Sequence, residues 1–390
     1  MLKILFAFYV FISSVLLKTI PIQYIHDYSE RISIFFSIGY PHQDLDYPIN
    51  TILNYTQIPS TLYKESISNY VKSLPNTTLF FENLFQVNSY TYIDDFIFGE
   101  NENNNINTYP FTVKDLTFYV SRTPFMMNFI GLGFGMHFDN QNASIVHKLF
   151  NSNQIDKRCF AVKPSTKEIL LGDVYSTEAS LINQMNYASS CFSSYANSAS
   201  WNCLLKDIYI NNKHQSYINN VVYFNTNQYW FFLSKELFTI IESYIREIKE
   251  QHKKYEYVLK EDEHRSYIQL SKELIHFLQP IQLKFDNMQI QINFTQMFEC
   301  PKHMQLCESL FALDGNNPKR IEFGKNFITM FNLTVFNYDT KSITFYSDNI
   351  QIINYNNDGI NVLYISVIIA TLCIIGAGFL YYIIIYTKQT

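Results

Sequence analysis

The residues best placed to do chemistry are few, and most point away from a familiar hydrolase. No Gly-x-Ser-x-Gly elbow, His-Glu-x-x-His pair or phosphate-cradling glycine loop occurs. The nine histidines are scattered. Cys300, His303 and Cys307 have a metal-like spacing, but a fourth ligand is missing. Cys191 with Cys203 and Cys300 with Cys307 are close in sequence, and in an oxidising compartment each pair is expected to close a disulfide loop. Cys159 is then left over inside an apolar segment, where a buried thiol is expected. No metal and no cofactor are expected. The remaining signal is a repeat. Tyr47-Pro48-Ile49 leads into Asn50-Thr51, and Val222-Tyr223-Phe224 leads into Asn225-Thr226. Each is followed much later by an apolar stretch ending in glycine: Phe129-Ile130-Gly131 and, less perfectly, Glu322-Phe323-Gly324.

The elements that must position these residues read as strands. Ile32 to Ile38, Leu116 to Val120, Ile169 to Leu171, Ile281 to Phe285, Thr334 to Phe336 and Ser342 to Tyr346 are rich in aromatic and β-branched residues between polar breaks. Helical patterns are rare. One runs from Ser144 to Phe150. Another starts at Ser234, a good N-cap, with Leu237, Ile240, Ile241 and Ile245 on one face. The charged run from Arg246 to Arg265 is expected to be a solvated helical extension or a mobile loop. Asn101 to Asn105 is expected to be an exposed loop. With landmarks repeated in both halves, the chain is expected to be all-β, with few short helices and a duplicated β-rich lobe.

The order of these landmarks resembles the pepsin-like aspartic peptidases. Ile38-Gly39-Tyr40-Pro41-His42-Gln43 is similar to the segment that opens the family's first lobe. Asn50-Thr51-Ile52 stands where the family carries its first Asp-Thr-Gly, and Ile58-Pro59 continues the match. Ile130-Gly131-Leu132-Gly133-Phe134 is similar to the family's apolar-Gly-Leu-Gly-Phe. In the second half Asn225-Thr226-Asn227 falls at the second Asp-Thr-Gly, and Ser234 to Phe238 at the helix start that follows it. The resemblance covers roughly residues 30 to 348. It implies a bilobal acid-protease fold, with an N-terminal lobe at 30–175, a C-terminal lobe at 176–350, and a cleft that binds an extended peptide or protein segment. Tyr92, with Tyr90 an equal alternative, is the candidate for the family's flap tyrosine.

Both catalytic positions depart from the family. The family's chemistry needs two carboxylates sharing one proton, one acting as base and one donating a hydrogen bond. An amide takes no such proton, and loss of general acid–base catalysis removes roughly 10²–10⁴-fold. Asp44, Asp46, Asp94 and Asp95 are near in sequence, but none is followed by Thr or Ser and then Gly. The resemblance therefore implies a degenerate dyad, Asn50 and Asn225, with Thr51 and Thr226 keeping structural hydrogen bonds. An active endopeptidase and a purely structural surface glycoprotein are the alternatives.

The two ends suggest a membrane setting. Residues 1–18 read as a signal peptide, with Lys3 ahead of an apolar stretch. Val362 to Tyr386 carries no formal charge. At about 1.5 Å per residue it reaches roughly 37 Å, enough for one transmembrane helix, with a cytoplasmic tail at 387–390. A single-pass type I protein of the secretory or endolysosomal system, or of the cell surface, is expected. Sequons at Asn54, Asn76, Asn142, Asn293 and Asn332 are candidate glycan sites. A net charge of −5 makes nucleic acid an unsuitable partner.

Overall fold

The computed structural model describes residues 19–26, 31–40, 42–51, 53, 56–63, 72–81, 85–98, 111–121, 130–133, 144–193, 200–301 and 304–354. The expected signal peptide, the expected transmembrane helix with its tail, the Asn101–Asn105 loop, Asn54, Asn142 and His303 lie outside them. Among the described residues no helix is long and apolar enough to cross a membrane.

The chain is mainly β. In the first half the strands are β1 (Thr19–His26), β2 (Ile32–Ile38), β3 (Gln43–Asn50), β4 (Thr56–Pro59), β5 (Lys72–Phe81), β6 (Phe85–Phe98), β7 (Phe111–Ser121) and β8 (Ile130–Gly131). Helix α1 (Ile145–Asn151) precedes β9 (Cys159–Lys163) and β10 (Glu168–Gly172). The second half holds β11 (Tyr187–Phe192), β12 (Asn202–Ile210), β13 (Lys213–Asn225), β14 (Phe231–Leu233) and α2 (Lys235–Gln251). After them come β15 (Tyr257–Glu261), β16 (Arg265–Ser271), β17 (Ile281–Phe285), β18 (Met288–Ile292), β19 (Phe298–Glu299), β20 (Leu306–Asp314) and β21 (Glu322–Gly324). The last are β22 (Leu333–Asn337), β23 (Ser342–Ser347) and β24 (Gln351–Asn354).

Local chemistry explains these elements. In β17, Ile281, Leu283 and Phe285 are buried while Gln282 and Lys284 are half-buried, the period of two that a one-sided strand requires. Ser144 caps α1 by accepting from the His147 amide, and Ser234 caps α2 by accepting from the Leu237 amide at 3.3 Å. Leu237, Phe238, Ile241 and Ile245 bury the inner face of α2, and Ile240 is half-buried beside them. Gly39 has φ 68° in the β2–β3 turn, a conformation that favours glycine.

The strands form a 13-stranded and an 11-stranded sheet. Within the larger one, the path β11-β23-β22-β9-β10-β1 is antiparallel throughout. It takes β1, β9 and β10 from the first half of the chain and β11, β22 and β23 from the second. The division at 175/176 thus runs through a shared sheet. Residues up to Ile353 form one compact unit.

Two pairings repeat. In the first half β3 runs parallel to β8, with Asn50 opposite Gly131, and β4 runs parallel to β7. In the second, β13 runs parallel to β21, with Asn225 opposite Gly324, and β14 runs parallel to β20. The repeated Asn-Thr and distant glycine therefore mark equivalent ladder positions.

Aromatic packing fills the interior. Phe36, Phe96, Phe98, Phe118 and Tyr63 pack together in the first half. Phe323 and Phe327 lie 4.3 Å apart between centroids in the second, near Phe224 and Phe345. Both expected disulfides are present, Cys191–Cys203 and Cys300–Cys307. Cys159 is a buried free thiol, and burial pushes its pKa up to about 11.

The charged run differs from expectation. Only its first part extends α2, to Gln251. The rest forms the antiparallel β15–β16 pair. Arg265 lies over the Trp230 ring, 3.8 Å from its centroid, and pairs with Asp262, so its charge is absorbed by a non-local partner as well as a local one.

Gly324 tests the packing. A Cβ there would collide with the Gln228 and Trp230 carbonyls, and both obstacles are backbone. Gly324→Ala is expected to cost about 3 kcal/mol of stability, read from the urea midpoint.

Candidate functional site at the junction of the halves

Two loop tips meet where β3 and β13 end. Thr51 follows Asn50, and its Oγ1 donates to the Phe224 carbonyl at 2.6 Å. Thr226 follows Asn225, and its Oγ1 donates to the Ile49 carbonyl at 2.7 Å. Each hydroxyl thus bonds the residue just before the asparagine of the other half. The Thr226 amide also donates to Thr51 Oγ1 at 3.1 Å. Both threonines are fully buried, so neither hydroxyl has water as an alternative partner.

Further contacts brace this junction. The Trp201 carbonyl accepts from the Phe224 amide at 2.9 Å, and the Trp201 amide reaches the Thr51 carbonyl at 3.4 Å. The Leu132 carbonyl, one residue past Gly131, accepts from Trp201 Nε1 at 2.9 Å and from the Tyr338 hydroxyl at 3.0 Å. Burial raises the Tyr338 phenol far above its ordinary pKa, so it stays a neutral donor. Phe160 stacks on Phe336 at 4.5 Å, with Trp201 edge-on to both.

The two asparagines are 6% and 8% exposed. Asn50 Oδ1 accepts from the Leu53 amide at 3.1 Å. Asn225 Oδ1 accepts from the Asn227 amide at 3.0 Å. Both side chains therefore turn their oxygen onto their own loop.

Sequence reasoning did not single out Glu322 as a site residue. Its carboxylate accepts from Asn225 Nδ2 at 2.8 Å, and it forms an ion pair with Arg320. Glu322 is 1% exposed. The parallel ladder, with Tyr223 opposite Glu322, brings it beside Asn225. The only early signal was that the second half of the repeat carries an acid where the first has Phe129.

The other acids near Asn50 in sequence are engaged elsewhere. Asp44 accepts from the Ser37 hydroxyl at 2.6 Å. Asp94 is buried and accepts from the Tyr63 hydroxyl at 3.0 Å. Tyr92 is buried in β6, its ring 5.5 Å from Tyr63 and 6.0 Å from Phe118. It is thus part of the first-half packing, and half-buried Tyr90 lies beside it. Among the described residues no group of His, Cys, Asp and Glu could hold a metal ion.

The sequons differ in setting. Asn76 lies within β5. Asn293 is exposed at the start of a short 3-10 turn. Asn332 has both ends of its amide bonded to Asp348, and Thr334 of its sequon is fully buried.

Compared with models of known families and with curated proteins, the chain matches none.

Two variants probe the junction. Thr51→Val removes a buried donor to Phe224 and an acceptor for Thr226, and is expected to cost about 3 kcal/mol, with Thr51→Ser recovering most of it in the same urea titration. Asn225→Asp would set a second carboxylate against Glu322, so the pair would hold one proton at a raised pKa. The folded state then binds more protons than the unfolded state above about pH 4, and stability falls as pH rises. The variant is expected to lose about 3 kcal/mol at pH 7 and markedly less at pH 4, measured by denaturation at both values.

Proposed function

We propose that this chain is a catalytically silent relative of the pepsin-like aspartic peptidases. Its two β lobes enclose a cleft that binds an extended peptide or protein segment, and one helix at 362–386 anchors it to a membrane of the secretory system or cell surface. The observation that carries the reading is the reciprocal bonding of Thr51 and Thr226. It sets two Asn-Thr loops of equal construction side by side between halves that repeat the same parallel pairings. Extended segments suit such a cleft because their backbone groups supply regular hydrogen bonds while pockets take alternate side chains.

Chemistry argues against peptide hydrolysis. A shared-proton dyad needs two carboxyl groups at the loop tips, and both tips carry amides. Glu322 does not refill the role. It is almost fully buried, takes a hydrogen bond from Asn225 and is paired with Arg320, so it is not offered to a substrate water.

The test is a peptidase assay of the full chain in detergent, with casein and a mixed peptide library across acidic to neutral pH. No cleavage above that of a heat-denatured control is expected. Cleavage that pepstatin blocks would return the chain to the active endopeptidases.

A further inference from the structure

We infer that a groove beside α2 binds a neutral oligosaccharide. Neither Asn-Thr loop lines it. It takes Lys213 and Gln215 from the start of β13, whereas Asn225 ends that strand. The inference goes beyond the peptidase-like reading and does not rest on it.

The groove has a volume of about 790 Å³, within the roughly 300–1,000 Å³ usual for ligand sites. One wall is α2, where Thr239, Ser243, Glu247 and Gln251 recur at every fourth residue and are exposed. Ile240, Tyr244 and Ile248, each one position further on, are half-buried and give that wall an apolar base. The β12–β13 turn supplies a second wall. Ile210 pairs with Lys213 across Asn211 and Asn212, which have φ 51° and 58°, the two-residue turn that matches strand twist. Gln282 Nε2 donates to Asn212 Oδ1 at 2.7 Å and braces this turn. Phe277 and Gln279 complete the lining. The Gln279 amide donates to the Tyr244 hydroxyl at 2.8 Å, which ties their segment to the helix.

The lining selects the ligand. Asn211, Gln215, Gln251, Gln279, Thr239 and Ser243 end in amides or hydroxyls, which both donate and accept. Sugar hydroxyls have the same double capacity. Among the described residues the side chains of Thr239, Ser243, Gln251 and Gln279 make no hydrogen bond within the chain, so they are open to a ligand. Lys213 and Glu247 are the charged members of the lining and have opposite signs, so no strongly charged ligand is favoured. Phe277 is 40% exposed, and His252 stacks on its ring at 3.9 Å and steadies it. The C–H face of a sugar ring buries apolar surface against such a ring. An extended peptide instead seeks a strand edge, and the α2 backbone is already bonded within its helix.

The test places the full chain, in a detergent without a sugar headgroup, on an array of short neutral oligosaccharides of hexose and N-acetylhexosamine, acidic oligosaccharides and random-sequence decapeptides. Among the sugars, only neutral ones are expected to bind. The tightest is then titrated by calorimetry against two variants. Phe277→Ala is expected to weaken it about fivefold. That change also uncovers His252, so Ser243→Trp gives an independent reading. Position 243 is exposed on α2, and an indole there fills the groove without removing a hydrogen bond. Binding is expected to fall about tenfold or more. Undiminished affinity in Ser243→Trp would overturn the inference, as would a wild-type chain that binds no sugar or only acidic ones. Decapeptide binding abolished by Ser243→Trp would also overturn it, by making the groove a peptide site. Decapeptide binding that survives Ser243→Trp while sugar binding falls is the expected pattern if both this inference and the cleft reading hold.

Discussion

Leaving a buried hydroxyl without a partner costs roughly 1–3 kcal/mol, and the two that matter most here find theirs in the opposite half of the chain. Thr51 and Thr226 each donate to the carbonyl that precedes the other's asparagine. Neither bond can form until both β3 and β13 are built and brought together. The shared antiparallel sheet and the Leu132 carbonyl, which collects Trp201 and Tyr338, serve the same joining from either side. The loops are thus positioned by threonine hydroxyls and backbone groups. The side chains at 50 and 225 do not supply these bonds, so their chemistry can change while the junction stays.

Amides at these two positions have their own physical logic. Two carboxylates at the ends of adjoining buried loops repel and share a proton. Two amides carry no charge, and each places its oxygen on a loop N–H. The acid that does lie here, Glu322, is tolerated because Arg320 balances it and Asn225 donates to it. Asn225 and Glu322 are therefore a matched pair.

What could be read in the sequence was mostly what is local. Strand periodicity located Ile32–Ile38 and Ile281–Phe285 to the residue, and Ser144 and Ser234 act as the caps their side chains suggested. The Asn-Thr repeat was legible because its meaning lies in position within each half, and the ladders give the two copies equivalent registers. Non-local pairing was harder. Glu322 lies 97 residues from Asn225, and only the parallel register of β21 with β13 reveals the contact. The charged run misled because Arg265 lies over Trp230, a ring well upstream in the chain. Counting from Asn50 reached Tyr92, yet a count cannot say whether a ring points to a cleft or packs, as this one does, on Tyr63 and Phe118.

The scaffold is close to twofold in its bonding, but its chemistry is not. Two equivalent loops would offer the same groups on either side of the junction. Glu322 breaks that equivalence. By sequence, the corresponding place in the first half holds Phe129, which can neither accept from Asn50 nor pair with an arginine. The repeated frame thus carries an asymmetric electrostatic constraint at its second loop, and a single carboxylate with its arginine supplies it.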